Sequence, residues 1–486
     1  MIIKSDYKDY LECTRKYALK QLNTEEDEPN FVLARRNELG SAVGLLAHQL
    51  FNDLRIIPSN VPLKHRIQYT KDALEKQTPI AEASFSFDDA FCAIDILEKT
   101  SLGYSLYEVK SNTSVDKTMI DDAAYQTYIA LNNGLNITEV NIIHVNNTYL
   151  KKGDINPHQY FTVVDVTEKV FEKLEEVPIH LAQIKRPTHT PPFIPISACS
   201  DCPFKSHCYQ ALPEDSMVKL YNYRKKTKMY LEGVRTLDEY IHTDPTLNDI
   251  QKRQIDFFYE NDPKPYINPQ ALYPFLKAIT YPIYYLDFET LDYVIPIFEN
   301  SAPNEKLPFQ ASIHIEEKGH PLKHAEFLMD TDQDPRIPMI KFLLEQLKLE
   351  GSIIVYHQTF EKGVIKILAE RFPEYETPLL NLLDRIIDLK EPFTKGMVYK
   401  KEMGNSFSIK SVYPAMIPEK KEAYKNLDTV HNGSEAMKVL EALPTLKGDD
   451  YIKARTQLLE YCKLDTLSMV EITHELFNII NTLSTS

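Results

Sequence analysis

Glycine is scarce in this chain, 13 in 486 residues, and no phosphate-cradling loop can be assembled from it. There is no G-x-x-x-x-G-K-[ST] string and no G-x-G-x-x-G after a strand-like run, which argues against a built-in ATPase motor and a Rossmann cofactor site. Long apolar runs are missing too. No window reaches the ~18 uninterrupted apolar residues of a membrane span. The N-terminus, MIIKSDYKDYLE, turns polar within a few residues, unlike a secretory signal. The expectation is a cytoplasmic protein with no membrane partner. Positive charge is in deficit, with a formal net charge of −15. That weighs against a protein coating nucleic acid by broad attraction, but not against one gripping it through local basic patches. No short repeat and no low-complexity tract is present. At 486 residues the chain exceeds one ordinary core, so two or three domains are expected.

Cysteine is also rare, six in all, yet three fall together as Cys199, Cys202 and Cys208 in ACSDCPFKSHC. In a cytoplasmic chain this clustering reads as metal or iron–sulfur ligation rather than disulfides. Cys92 and Cys462 lie in apolar or helical contexts and read as core fillers. Helical patterns open the stretch 1–210, and strand-like runs follow at 91–97, 106–109 and 140–145. Four prolines make 185–196 an extended connector into the cysteine cluster. Residues 211–280 look helical and polar, rich in tyrosine and lysine, without a strand signal; they read as a linker or small helical subdomain. A new α/β segment starts at Tyr281, with strands expected at 283–288, 309–315 and 352–356. Asp334 can cap a helix whose first residue is Pro335, and Gly351 can end it. Alternating strands and helices imply a layered α/β architecture.

The first chemical constellation is AIDILEK followed by LYEVKS. Asp95 sits in an apolar run, and Glu108 and Lys110 are two apart in another. On a strand, i and i+2 share a face, and a neighbouring strand can bring Asp95 alongside. Two carboxylates can hold Mg²⁺ or Mn²⁺, and a lysine can orient water or steady charge on a phosphate, a minimal kit for phosphodiester hydrolysis. The plain alternative is a surface ion pair, but a charge in an apolar run needs a reason. The pattern resembles the PD-(D/E)XK superfamily in its RecB-type branch. His48, in GSAVGLLAHQLF, matches the upstream helical histidine that serves there as a metal ligand. Gln126, in DDAAYQTYIAL, matches the glutamine of the helix after the catalytic strands. That helix usually reads Q-x-x-x-Y. Here the fourth position is Ala130, leaving Tyr125 and Tyr128 as candidates for the tyrosine. Cys13, in SDYKDYLECTRKYAL, matches the opening helix. With Cys199, Cys202 and Cys208 it reproduces the ligand pattern of the iron–sulfur members, the AddB-type recombination nucleases and a CRISPR-associated exonuclease. The resemblance implies a [4Fe–4S] cluster that ties the domain's ends together; zinc is the alternative, since four cysteines suit it too.

The second constellation is YYLDFET, with Asp287 and Glu289 on one strand face, and RTQLLEYCKLDTLSMVEITHELF, one amphipathic helix with Tyr461 and Asp465 at i and i+4. Between them, SIIVYHQTFEKGVIKIL reads as strand, turn and helix with Glu361 at the helix start. Order and spacing resemble the DEDD exonucleases of the RNase H-like fold, tyrosine subclass. Two departures are visible: His357 stands where asparagine is usual, and Glu361 where aspartate is usual. The resemblance implies two divalent ions held by Asp287, Glu289, Glu361 and Asp465, with Tyr461 orienting water. LPFQASIHI, NSFSIKSV and YCKLDT also match an uncharacterised bacterial domain often fused behind a RecB-like, cysteine-bearing nuclease. Asp388 reads equally as an extra acid or a strand-end residue, and Lys410 as a solvated lysine or a phosphate contact.

The expected organisation is therefore an α/β chain. A restriction-endonuclease-like domain spans 1–210, a helical connector 211–280, and an RNase H-like domain 281–486. The expected activity is a metal-dependent nuclease, exonucleolytic in character, acting on DNA as single strands or ends, with RNA open, in repair, recombination or defence. The alternative is a nucleic-acid-binding scaffold, or a subunit partnered with a helicase or defence-system chain, with one or both centres inactive.

Overall fold

Strands in both halves of the chain follow the apolar runs, and the residues that break those runs become the sites. A computed structural model describes residues 1–27, 31–184, 187, 189–222, 224–241, 246–330, 333–427 and 430–485. Residues 185, 186 and 188 of the expected connector lie outside the described residues. The chain divides into two units, Met1–Ala211 with Tyr293–Asn304, and Leu212–Asp292 with Glu305–Ser486. Both are α/β.

The first unit is built on a seven-stranded sheet: β1 (Ile2–Ile3), β2 (Arg55–Ile56), β3 (Ile80–Phe87), β4 (Ala90–Lys99), β5 (Tyr104–Lys110), β6 (Ile137–Val145) and β7 (Phe161–Asp165). The order is β2-β3-β4-β5-β6-β7, with β1 added to β4. β3, β4 and β5 run antiparallel to one another; β2 is parallel to β3, β1 to β4 and β5 to β6, and β7 closes the sheet antiparallel to β6. β3, IAEASFSF, was not expected. Its alanines and serines are weak strand formers, and packing rather than propensity holds it. The helices used below are α1 (Lys4–Glu12), α2 (Thr14–Gln21), α3 (Phe31–Ala47), α4 (Leu63–Leu74) and α5 (Lys117–Asn132). α5 lays Met119, Ile120, Ala123 and Ala124 on the core, against Leu106, Val140 and Ile142. The opening segment is two helices, not one. Cys13 breaks it with extended backbone, and its sulfur caps α2 by accepting from Lys16 N at 3.4 Å.

The second unit holds β8 (Tyr266–Ile267), β9 (Ile283–Asp292), β10 (Lys306–Glu316), β11 (Lys323–Leu328), β12 (Ser352–Val355), β13 (Ile386–Asp388) and β14 (Val398–Tyr399). Five of these form a sheet in the order β11-β10-β9-β12-β13; the first three are antiparallel, and β12 and β13 continue it in parallel. The stretch 211–280 does carry a strand, since β8 pairs with β14. β9 alternates faces in period two: Ile283 and Tyr285 enter one apolar cluster, Tyr284, Leu286 and Phe288 the other. Its helices are α6 (Arg336–Gln346), α7 (Gln358–Arg371), α8 (Ile409–Met416), α9 (Gly433–Ala442) and the long α10 (Gly448–Thr485). Asp334 caps α6, accepting from Arg336 N at 3.0 Å, with Pro335 at the cap position itself. Gly351 does not end α6, which stops at Gln346. It turns the chain into β12 at φ +88°, where an added Cβ would lie 1.9 Å from the Pro282 carbonyl oxygen, so only glycine fits. No described helix is long and apolar enough to cross a membrane.

Candidate functional site

The first centre forms where β4 and β5 part. Their ladder runs from Lys99↔Tyr104 to Ile96↔Tyr107. Beyond it, Val109 N donates to the Asp95 carboxylate at 2.8 Å. Farther along β4, β1 pairs with Ala90 and Phe91. Asp95 therefore sits in a fork between β1 and β5. On its other side, β3 pairs Ala81 with Ile96 and Ala83 with Ile94. Glu82, between them, has φ +59°, a left-handed conformation costing a side-chain-bearing residue on the order of 1 kcal/mol. The fork opens into a cleft of about 860 Å³ whose lining includes Lys4, His48, Glu82, Asp95, Glu108 and Lys110.

Glu108 and Lys110 share the β5 face that looks at α5. There Asp122 and Gln126, one helical turn apart, complete a buried lattice. Lys110 Nζ donates to Glu108 Oε1 at 2.5 Å and to Asp122 Oδ2 at 2.7 Å. Gln126 Nε2 donates to Glu108 Oε2 at 2.5 Å. Lys4, from α1, donates to Glu108 Oε1 at 2.9 Å and stands 3.9 Å from Asp95 Oδ1. Burial works against ionising Glu108, but Lys4 and Lys110 overcome it and hold its carboxyl well below the usual range. Burial and the neighbouring Glu108 push Asp95 up to about 7. His48 follows α3 in a single 3₁₀ turn, and burial lowers its pKa. Neither tyrosine candidate works on the acids. The Tyr125 hydroxyl ties Ile2 O (2.7 Å) to Phe91 O (2.9 Å), and Tyr128 packs edge-on against Phe87. Ala130 is buried in the core.

The four cysteines all lie in this unit, and no disulfide joins them among the described residues. The Cys208 sulfur accepts from Arg15 Nε at 3.3 Å, and the Cys199 sulfur from Ile196 N at 3.5 Å. Burial pushes the Cys202 thiol up, and Cys208 and Cys13 add to the shift, so these three are electrostatic neighbours. Among the described residues, no three cysteine sulfurs lie within 4.8 Å of one another.

The second centre grows from the stripe that β9 presents to α10. After Ile283 and Tyr285 the same face carries Asp287 and Glu289. On α10, Asp465 interrupts an apolar stripe of Cys462, Met469, Ile472 and Leu476. The result is Asp287, Glu289 and Asp465 with an oxygen of each within 4.8 Å of the others. The three carboxylates carry little compensating charge. Burial raises Asp287 well above its ordinary value, and Asp465 adds to it; burial, then Asp287 and Asp465, do the same to Glu289. Glu361, in the first turn of α7, is 3% exposed, and its Oε2 has no hydrogen-bond partner among the described residues. Burial, then Asp287, push it up to about 9.

Around these acids stand groups the motifs did not announce. Tyr424 donates to Asp465 Oδ1 at 2.6 Å. Lys410 is no solvated lysine: it donates to the Tyr461 hydroxyl at 3.2 Å and to His431 O at 2.5 Å. Burial and Asp465 push the Tyr461 hydroxyl far up, so it stays protonated. Cys92 fills the core, but Cys462 lies with its sulfur 3.6 Å from Asp287 Oδ2. Asp388 takes the strand-end role, accepting from Gln358 N (3.1 Å) and Lys390 N (3.0 Å) and so capping α7. His357 occupies the N-cap position of α7.

The family model described as a domain of unknown function (DUF2779) matches residues 284–408. The matched stretch holds Asp287, Glu289 and Glu361 and ends before Lys410, Tyr461 and Asp465. No curated protein matches the chain.

Proposed function

We propose that the chain is a divalent-metal-dependent nuclease with two centres. The observation that carries the reading is the convergence of Asp287, Glu289 and Asp465, residues far apart in sequence, at an under-compensated point of the second unit. Like charges packed this way raise one another's pKa and cost stability unless a cation joins them. Glu361 lies outside that group but close enough to Asp287 to feel its charge, and its orphaned Oε2 would suit a cation on that side. All four donors are carboxylates, the ligand type that Mg²⁺ and Mn²⁺ prefer. When bound, such ions supply an activated water and charge stabilisation at phosphorus. The chain's own residues do the rest. Tyr461, kept protonated and fixed by Lys410, offers a donor to water or phosphate. Tyr424 holds Asp465 in place, and Lys410 brings a fixed positive charge. The order β11-β10-β9-β12-β13 and the placement of α10 support an RNase H-like, DEDD-type exonuclease domain.

In the first unit, Asp95 and Glu108 would hold the ion, with His48 on the same cleft. Lys110, anchored on Asp122, would steady charge on the phosphate, and Gln126 orients Glu108. This supports the PD-(D/E)XK, RecB-type reading. Cys13, Cys199, Cys202 and Cys208 would ligate a [4Fe–4S] cluster. Zinc is the alternative occupant, since four thiolates suit it too. Nucleic acid is the substrate class, with DNA single strands or ends first, and a helicase or defence-system chain is a fitting partner.

The test is a matched pair, Lys110→Ala and Asp287→Ala, assayed with Mg²⁺ and Mn²⁺ on single- and double-stranded DNA and RNA. Each should remove a different cleavage pattern, by ~10³-fold or more. A variant that keeps the full wild-type pattern shows that its centre does not cut. Brown colour lost in Cys202→Ser, without zinc in the metal analysis, would mark the iron–sulfur cluster.

A further inference from the structure

Lys4 belongs to neither motif, yet it is fixed in the fork of the first centre. β1 pairs with β4 at Ile2↔Ala90 and Ile3↔Phe91, which sets the chain direction into the fork. The Tyr125 hydroxyl donates to Ile2 O at 2.7 Å, and Ile3 N donates to Asp6 at 3.3 Å. The lysine that follows therefore reaches the acids from a tethered backbone. Its ammonium bridges them, 2.9 Å from Glu108 Oε1 and 3.9 Å from Asp95 Oδ1. These are the two carboxylates assigned above to a divalent ion.

The two lysines of the centre are not equivalent. Lys110 has a second anchor on Asp122 and stays put if Glu108 changes partner. Lys4 is anchored on the acids themselves, and its side chain keeps 31% of its surface open to the cleft. One turn along α1, Lys8 lines the same cleft and is exposed. Two cations drawn to the same carboxylate oxygens repel each other strongly at such short range. A lysine that gives up these oxygens here remains on the cleft wall beside Lys8, facing the space a polyanion would fill.

We propose that Lys4 is a positioning residue that competes with divalent cations for Asp95 and Glu108, and that on yielding them it joins Lys8 as a phosphate contact. The proposal rests on the reading of the first centre as a divalent-ion site. It makes the N-terminal residues a working part of that centre: Lys4 keeps the acids together in the metal-free protein and passes its charge to the substrate in the loaded one.

The experiment is Mn²⁺ binding by calorimetry on the full chain at about pH 8, in an Asp287→Asn, Asp465→Asn background that quiets the second centre. Lys4→Met should tighten Mn²⁺ roughly tenfold, and Lys4→Arg should return it toward the wild-type value. Lys4→Met should also lower the salt-dependence slope of nucleic-acid binding by ~0.7–0.9, one phosphate contact. Circular dichroism checks the fold, and Lys4→Gln replaces the methionine variant if that does not fold. Mn²⁺ affinity unchanged or weaker in folded Lys4→Met and Lys4→Gln overturns the proposal and leaves the ion site standing. If Mn²⁺ binding does not respond to Glu108→Gln, the ion reading of this centre falls and the proposal with it.

Discussion

The two acid centres solve the same electrostatic problem in opposite ways. In the first unit, Glu108 is fully buried but meets Lys4, Lys110 and Gln126, and its carboxyl is held well below the ordinary range. In the second, Asp287, Glu289 and Asp465 meet each other and one partly shared lysine; the Asp287 and Glu289 carboxyls are held well above it, and burial raises Asp465 against the pull of Tyr424, Lys410 and Tyr461. A compensated acid contributes to stability as it stands. An under-compensated cluster costs stability until a cation arrives. The difference teaches that a set of acids is not by itself a metal centre; the count of cations already packed against it decides how far it depends on an ion.

The sharpest break of this contrast is Glu108→Ala. It leaves two lysines and an amide facing a buried gap, and should cost the first unit about 3 kcal/mol. Hydrogen exchange of β5 and α5 peptides reads it unit by unit, which suits a chain that need not unfold in one step. Next in size is the ion itself. Mg²⁺ at ~100 times its dissociation constant should protect β9 and α10 by ~2.7 kcal/mol, and equal exchange with and without Mg²⁺ would remove the contrast.

The pH responses should run in opposite directions. Glu361 is raised from an unfolded value near ~4.3 to about 9. The stability tied to its proton is complete below ~4.3 and is lost as pH climbs toward 9, by at most about 1.4 kcal/mol per pH unit. Glu361→Gln should flatten that loss in the metal-free second unit. Glu108 is lowered, so its contribution is complete above ~4.3 and is lost on acidification. Asp95, raised to about 7, adds its own loss on the alkaline side of the first unit, so the checks are single variants: a Glu108→Gln protein that keeps the acid loss, or a Glu361→Gln protein that keeps the alkaline one, would contradict the assignment. The smallest effect is Asp287→Asn, which relieves repulsion and should stabilise the metal-free second unit by ~1 kcal/mol. Destabilisation there would mean the cluster is compensated after all.

Much of both centres could be read along the chain because strand and helix periods are local. Glu108 and Lys110, Asp287 and Glu289, and Tyr461 and Asp465 are pairs at strand or helix spacing, and each pair shares a face. Asp122 could have been found the same way, one turn before Gln126. Lys4, Glu82 and Tyr424 could not. They reach the acids from other elements, across sheet edges and helix contacts, and no spacing rule connects them. The break at Cys13 is hidden in the sequence because no glycine or proline marks it. Gly351 reads locally as a helix end, whereas the need for glycine there comes from Pro282, a residue 69 positions earlier.

What the chain alone determined was local: the apolar runs that become β4, β5, β9 and α10, and the side chains that share a face on each, because backbone geometry repeats every 2 or 3.6 residues. What only the tertiary structure decided was the charge balance. Whether an acid meets a lysine, a tyrosine or another acid depends on where strands diverge and which helix lies across them. That is why Glu108 is compensated by lysines and Asp287, Glu289 and Asp465 are left facing one another.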